Sequence, residues 1–166
     1  MFDEEAWGSI SQQLISLLVA MAAGAVIGFE REWRDRTAGL RTHILVAIGA
    51  ATYMMVSEQI ILSYATEAAV RMDPLRTVGG LVGGIGFLGA GAIVQARGNV
   101  RGLTTAASIW MTAALGMAAG VGAYQTLMLA SLVVLIVLIP LRFLENKLRA
   151  HRHGPGESES PDDGPL

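Results

Sequence analysis

The chain has 166 residues, 52% hydrophobic and 16% charged, with a formal net charge of −2 at pH 7. The charge content lies well below the ~25% of ordinary soluble domains, and the acidic balance offers no broad basic surface, which argues against nucleic-acid binding. Cysteine is absent, so disulfide and thiolate chemistry are excluded.

The first nine residues are acidic, with Asp3, Glu4 and Glu5 where a secretory leader would be basic, so no leader is expected. Residues 10–29 carry no charge. Their length matches the ~20 residues needed to cross a bilayer as a helix. Gly24 and Gly28, four apart, make a close-packing pair on this span. A charged loop follows from Glu30 to Gly39. The second span is expected over 40–65, with Arg41, Thr42 and His43 at its start. Pro74 can open the third helix at its first position, giving a third span over 76–96. A tight turn is expected at 97–102, a fourth span at 103–119, and a fifth at 123–144. Residues 151–166 are rich in Gly, Pro, Ser and acid. They read as a disordered tail with little to bury. The expected fold is therefore all-α and polytopic, with five transmembrane helices over 1–150 in contact with the lipid bilayer.

The third span is the richest in glycine. Seven of the thirteen positions from Gly79 to Gly91 are glycine. Each costs about 1 kcal/mol relative to Ala in a water-exposed helix, whereas in lipid small residues let backbones approach. Gly79, Gly83, Gly86 and Ala90 share one face, and Gly80 and Gly84 a neighbouring one. With Gly89 and Gly91 they mark the third span as the central helix of the bundle. The run Gly84-Ile-Gly86-Phe-Leu-Gly89 also matches a dinucleotide fingerprint. It lacks the preceding strand and the acidic residue ~20 positions on, so no nucleotide or other cofactor is expected.

Basic residues set an orientation. With the N-terminus outside, segments 30–41, 97–102 and 142–153 face the cytoplasm and hold ten of the twelve Lys and Arg residues. The positive-inside bias then places the C-terminus in the cytoplasm. A weak repeat at an offset of 63 aligns Gly39-Leu40-Arg41-Thr42 with Gly102-Leu103-Thr104-Thr105. It suggests a parallel two-plus-two arrangement with an added fifth helix.

Three polar groups are candidates for function. Glu30, Arg31 and Glu32 end the first span opposite Arg41 and Thr42, and a pair of Glu30 or Glu32 with Arg41 would close the hairpin. Charges flush with a membrane are costly unless paired or hydrated. Asp73 and Arg76 lie one turn apart at the start of the third span and can pair there, with Asp73 as a helix cap. Thr104, Ser108 and Thr112 repeat every four residues on the fourth span, with Thr105 and Trp110 off that stripe. Such hydroxyls bond across helices for roughly 0.6–2 kcal/mol each. No carboxylate cluster suits a cation cage, and no nucleophile, base or phosphate-loop pattern is present, so an enzyme is not expected.

The chain resembles the MgtC/SapB family of bacterial membrane proteins. The resemblance rests on Gly24-Ala-Val-Ile-Gly28-Phe-Glu30-Arg31-Glu32, Ala38-Gly39-Leu40-Arg41-Thr42 and Asp73-Pro74-Leu75-Arg76. It continues through Gly84-Ile-Gly-Phe-Leu-Gly-Ala-Gly91 and Val100-Arg-Gly102-Leu-Thr-Thr-Ala-Ala107-Ser-Ile-Trp110. It implies an inner-membrane protein linked to Mg²⁺ limitation, acid adaptation and, in pathogens, survival in host cells. It also implies a partner such as the F-type ATP synthase. Longer members carry a soluble C-terminal domain; with the 151–166 stretch read as a disordered tail, this chain is expected to be a short form without it. Two functions stand open: a non-enzymatic regulator working through helix contacts, or a small transporter or channel for Mg²⁺, protons or another solute. The small size leaves room for a homo-oligomer.

Overall fold

The computed structural model describes residues 4–64, 73–96 and 99–139. They form α1 (Glu4–Trp33), α2 (Leu40–Tyr64), α3 (Pro74–Ala92), β1 (Val94–Ala96), β2 (Asn99–Arg101), α4 (Leu103–Gly120) and α5 (Tyr124–Leu138). The described residues are all-α apart from the short β1–β2 ribbon. Four helices, α1 to α4, are long and apolar enough to cross a membrane. α5 as described has 15 residues. At 1.5 Å per residue that is about 22 Å. The remainder of the expected fifth span and the 151–166 tail lie outside the described residues.

Each helix end has a local cause. α1 continues through the charged Glu30–Trp33 instead of stopping at residue 29. It ends where Asp35 adopts a left-handed conformation, φ 50°, a region that Asp tolerates better than most residues. There the Arg36 N–H donates to the Arg31 carbonyl at 3.1 Å. The first N–H of α2, on Leu40, donates to Glu32 Oε2 at 2.6 Å, so α1 caps α2 across the loop. α3 opens on Pro74, with Asp73 as its cap.

The third span stops short of the expected residue 96. Ile93 is extended at φ −92°, ψ 118°, and β1 pairs antiparallel with β2, with Val94 opposite Arg101 and Ala96 opposite Asn99. Within the expected turn at 97–102, residues 99–101 are thus the strand β2, while 97 and 98 lie outside the described residues. The β-branched Ile93, Val94 and Val100 favour extended backbone. Gly102 then turns the chain into α4 at φ 92°.

α2 lies between α1 and α4, and small residues make the contact. A Cβ on Gly24 would lie 2.6 Å from the His43 carbonyl oxygen, and one on Gly28 would lie 2.7 Å from Leu40 Cα. On the other side, a Cβ on Gly116 would overlap the Ala47 carbonyl oxygen, and one on Gly120 would lie 2.6 Å from that of Ala51. Ala47, Ala50 and Ala51 of α2 are fully buried between these two glycine pairs. Both pairs are spaced by four residues, the small-xxx-small pattern that brings helix backbones together in lipid.

α3 is not the central helix. It docks through Ile85 and Leu81 on a cluster with Ala38, Ala50, Ile109 and Ala113, and Gly89 faces Ala106. At Gly79, Gly83, Gly84, Gly86 and Gly91 an added Cβ would meet nothing within 4 Å. Glycine density in the sequence therefore marks an open surface here, while the tightest crossings use the sparser glycines of α1 and α4. Large apolar side chains cover the outside, including Phe87, Leu45, Leu62 and Met128. A water-facing surface of this kind would be anomalous; facing hydrocarbon it is the ordinary arrangement.

Candidate functional site

Two polar regions lie toward opposite ends of α2. The first lies where α1 ends and α2 begins. Glu30 and Arg31 are buried, at 8% and 4% exposure. Glu30 Oε1 lies 2.5 Å from Arg34 Nε, and Glu30 Oε2 lies 3.6 Å from an Arg31 guanidinium nitrogen. Neither carboxylate oxygen has a hydrogen-bond partner of good geometry, so charge proximity holds the group. The expected pairing of Glu30 or Glu32 with Arg41 does not occur. Arg41 and Thr42 are exposed, and Glu32 is used as the cap of α2. Helical phase explains the choice: Arg34 is one turn beyond Glu30 on the same face.

His43 extends this region into the bundle. It has no exposed surface and bridges the loop and α4. Its Nδ1 lies 2.8 Å from the Gly39 carbonyl oxygen and its Nε2 lies 3.1 Å from Ser108 Oγ. A carbonyl only accepts, so Nδ1 carries the proton. In the neutral ring Nε2 must then accept from the Ser108 hydroxyl. Ser108 Oγ also lies 2.8 Å from the Thr105 carbonyl, so one hydroxyl proton serves two acceptors. Thr112 Oγ1 donates to the Ser108 carbonyl at 2.8 Å.

The hydroxyl stripe on α4 therefore has a different phase from the expected one. Thr105, Ser108 and Thr112 are buried together, whereas Thr104 is exposed. Steps of three and four from Thr105 follow the face turned to α2, and Thr104 sits one residue, about 100°, off it. Trp110 is about half exposed.

The second region is a crevice of about 540 Å³ between α2 and the start of α3. Tyr53, Val56, Ser57, Ile60, Ile61, Asp73, Arg76 and Thr77 line it. Asp73 Oδ1 accepts the Leu75 N–H at 2.9 Å. Asp73 and Arg76 form no ion pair with each other or with any other described residue. The expected pair fails because the cap geometry holds the carboxylate against the helix N-terminus. A smaller crevice of about 210 Å³ lies between α1 and α2, beside Gln12, Gln13, Ser16 and Glu58. Nearby, the Ser16 and Tyr124 hydroxyls are 2.9 Å apart. Among the described residues no three of His, Asp and Glu converge as metal ligands.

Sequence reasoning passed over His43, Arg34, and the Gly116–Gly120 pair. The glycine pair was visible as another four-residue spacing. His43 was visible only as a lone imidazole four residues after Gly39 in an apolar run, and nothing in the sequence places it against Ser108.

Charge-poor helices, an apolar exterior and polar groups confined to the helix interfaces and ends define a multi-pass α-helical membrane protein. A family model described as the MgtC family matches residues 17–147. The chain is 43% identical over 125 residues to the "Putative magnesium transporter YhiD" of Escherichia coli K12, covering 75% of this chain and 58% of that protein. It is 45% identical over 129 residues to "Protein MgtC" of Salmonella typhimurium LT2, covering 78% and 52%. It is 41% identical over 132 residues to an uncharacterized Synechocystis protein, covering 80% and 53%. No solved structure matches the chain. This chain belongs to the MgtC family, and it spans about half the length of the curated relatives it matches.

Proposed function

We propose that the chain serves Mg²⁺ homeostasis in the bacterial inner membrane, in adaptation to low Mg²⁺ or acid stress. It acts as a non-enzymatic regulator of a membrane partner, with its N-terminus outside and its C-terminus in the cytoplasm. The Mg²⁺ link is supported by the name of one relative, "Putative magnesium transporter YhiD", and by family membership. The F-type ATP synthase is the partner that the family resemblance suggests. The observation that carries the contact mechanism is the open face of α3. At Gly79, Gly83 and Gly86 nothing lies within 4 Å of an added Cβ, leaving a smooth ridge on which another helix can seat closely.

A small transporter is the second reading. The crevice at Asp73 and Arg76 favours it, since it puts two charges with no ion-pair partner among the described residues at one end of the bundle. Flux into proteoliposomes separates the two. The regulator reading expects purified protein to pass Mg²⁺ and protons no faster than empty vesicles. Uptake that falls on Asp73→Asn or Arg76→Gln would replace it with the transporter.

A further inference from the structure

We propose that the crevice between α2 and α3 is a binding site for one zwitterionic aminophospholipid, with Arg76 taking the phosphate and Asp73 the ammonium. Three independent features support this. The first is charge. Asp73 and Arg76 are one helical turn apart yet do not pair, and both line the same crevice. Asp73 uses Oδ1 to cap α3, and its Oδ2, with no ion-pair partner among the described residues, is the atom offered to a cation. An Arg guanidinium offers a fork of donors matched to phosphate oxygens.

The second is position. α3 is a candidate span from Leu75 onward, so Asp73 and Arg76 sit where lipid headgroups lie. Pro74 and the cap fix that helix start. The third is the shape below the charges. Val56, Ile60 and Ile61 give the crevice apolar walls, while Tyr53, Ser57 and Thr77 add hydroxyls. Gly80 brings the α3 backbone close to the Tyr53 hydroxyl, 3.0 Å from an added Cβ. One turn deeper on the same face, Gly84 has nothing within 4 Å. Beyond the crevice, the bare backbone at Gly80 and Gly84 is a track against which an acyl chain can lie. An oppositely charged head and an apolar tail describe a phospholipid better than a free ion. The face used, Thr77–Gly80–Gly84, is separate from the Gly79–Gly83–Gly86 ridge.

The test uses the full chain, purified in mild detergent, stripped of lipid, and offered equal phosphatidylethanolamine, phosphatidylglycerol and diacylglycerol. Retained lipid is measured by mass spectrometry after washing. Phosphatidylethanolamine is expected to be retained above the other two. Arg76→Gln is expected to lower its retention about tenfold, the loss of one charge-assisted hydrogen bond. Asp73→Asn keeps a good N-cap and is expected to abolish the preference over phosphatidylglycerol. Gly84→Leu, which fills the track, is the second variant should Arg76→Gln not fold, and it too is expected to lose retention. Equal retention of diacylglycerol would overturn the proposal. So would retention untouched by Arg76→Gln and Gly84→Leu, or displacement by millimolar inorganic phosphate alone.

Discussion

Glycine has two opposite roles in this chain, and a single methyl group tells them apart. At Gly24 and Gly116 an added Cβ runs into backbone carbonyls of α2; at Gly83 it meets nothing. Gly24→Ala and Gly116→Ala should each destabilise the purified protein by about 1–3 kcal/mol, the usual cost of overpacking. Gly83→Ala should leave stability unchanged or raise it by up to about 1 kcal/mol through helix propensity. Thermal unfolding in detergent reads all three. Gly102 stands apart, because its φ of 92° and its approach to the Ala92 carbonyl both exclude a side chain. At His43 the expectation concerns coupling. A double-mutant cycle of His43→Ala with Ser108→Ala should return about 0.6 kcal/mol, and at most about 1.7, the range for hydrogen bonds between membrane helices. A coupling near zero would mean that the imidazole and the hydroxyl do not bond.

At the scale of the element, the helices were legible because uncharged runs and charged loops alternate at bilayer length. What was hidden is rotational phase and packing partner. The sequence ranks Thr104 beside Ser108 and Thr112, since all three are four apart. The structure buries Thr105 instead, because α2 and α1, and not spacing alone, decide which face turns inward. The β-ribbon after α3 was hidden for a similar reason: Ile93, Val94 and Val100 fit an apolar span as well as a strand. Arg41 looked like the partner of Glu30 only because the loop brings it near in sequence terms, whereas Arg34 shares the helix face. The cap from α1 to α2 gives a further prediction. Glu32→Ala should lower stability by about 1 kcal/mol, the typical worth of a lost helix cap, while Arg41→Ala should cost almost nothing. Equal losses would contradict the assignment of Glu32 to the Leu40 N–H.

At the scale of the whole molecule, residues of like character are sorted by where they face. The interior of the α1, α2 and α4 bundle holds mostly alanine and glycine, a few larger apolar side chains such as Ile27 and Leu115, and a short polar chain, and most of the large apolar side chains face lipid. That sorting is legible in the sequence as composition but not as contacts, since glycine reads the same whether it is crowded or bare. The absence of cysteine makes orientation measurable with single introduced thiols. Asp35→Cys should react with an impermeant reagent only from the cytoplasmic side, and Gly122→Cys only from outside. The reverse pattern would invert the orientation proposed above.

The central claim is that the bare face of α3 is covered by another protein in the membrane. A single Gly83→Cys variant, expressed in bacterial membranes and treated with a bifunctional thiol reagent, tests it most directly, with Leu129→Cys on α5 as the lipid-facing comparison. The account predicts a discrete cross-linked species from position 83, lost when Gly79→Leu is added, and none from position 129. A thiol at 83 that stays monomeric and reacts with a lipid-soluble reagent as freely as the one at 129 would contradict it.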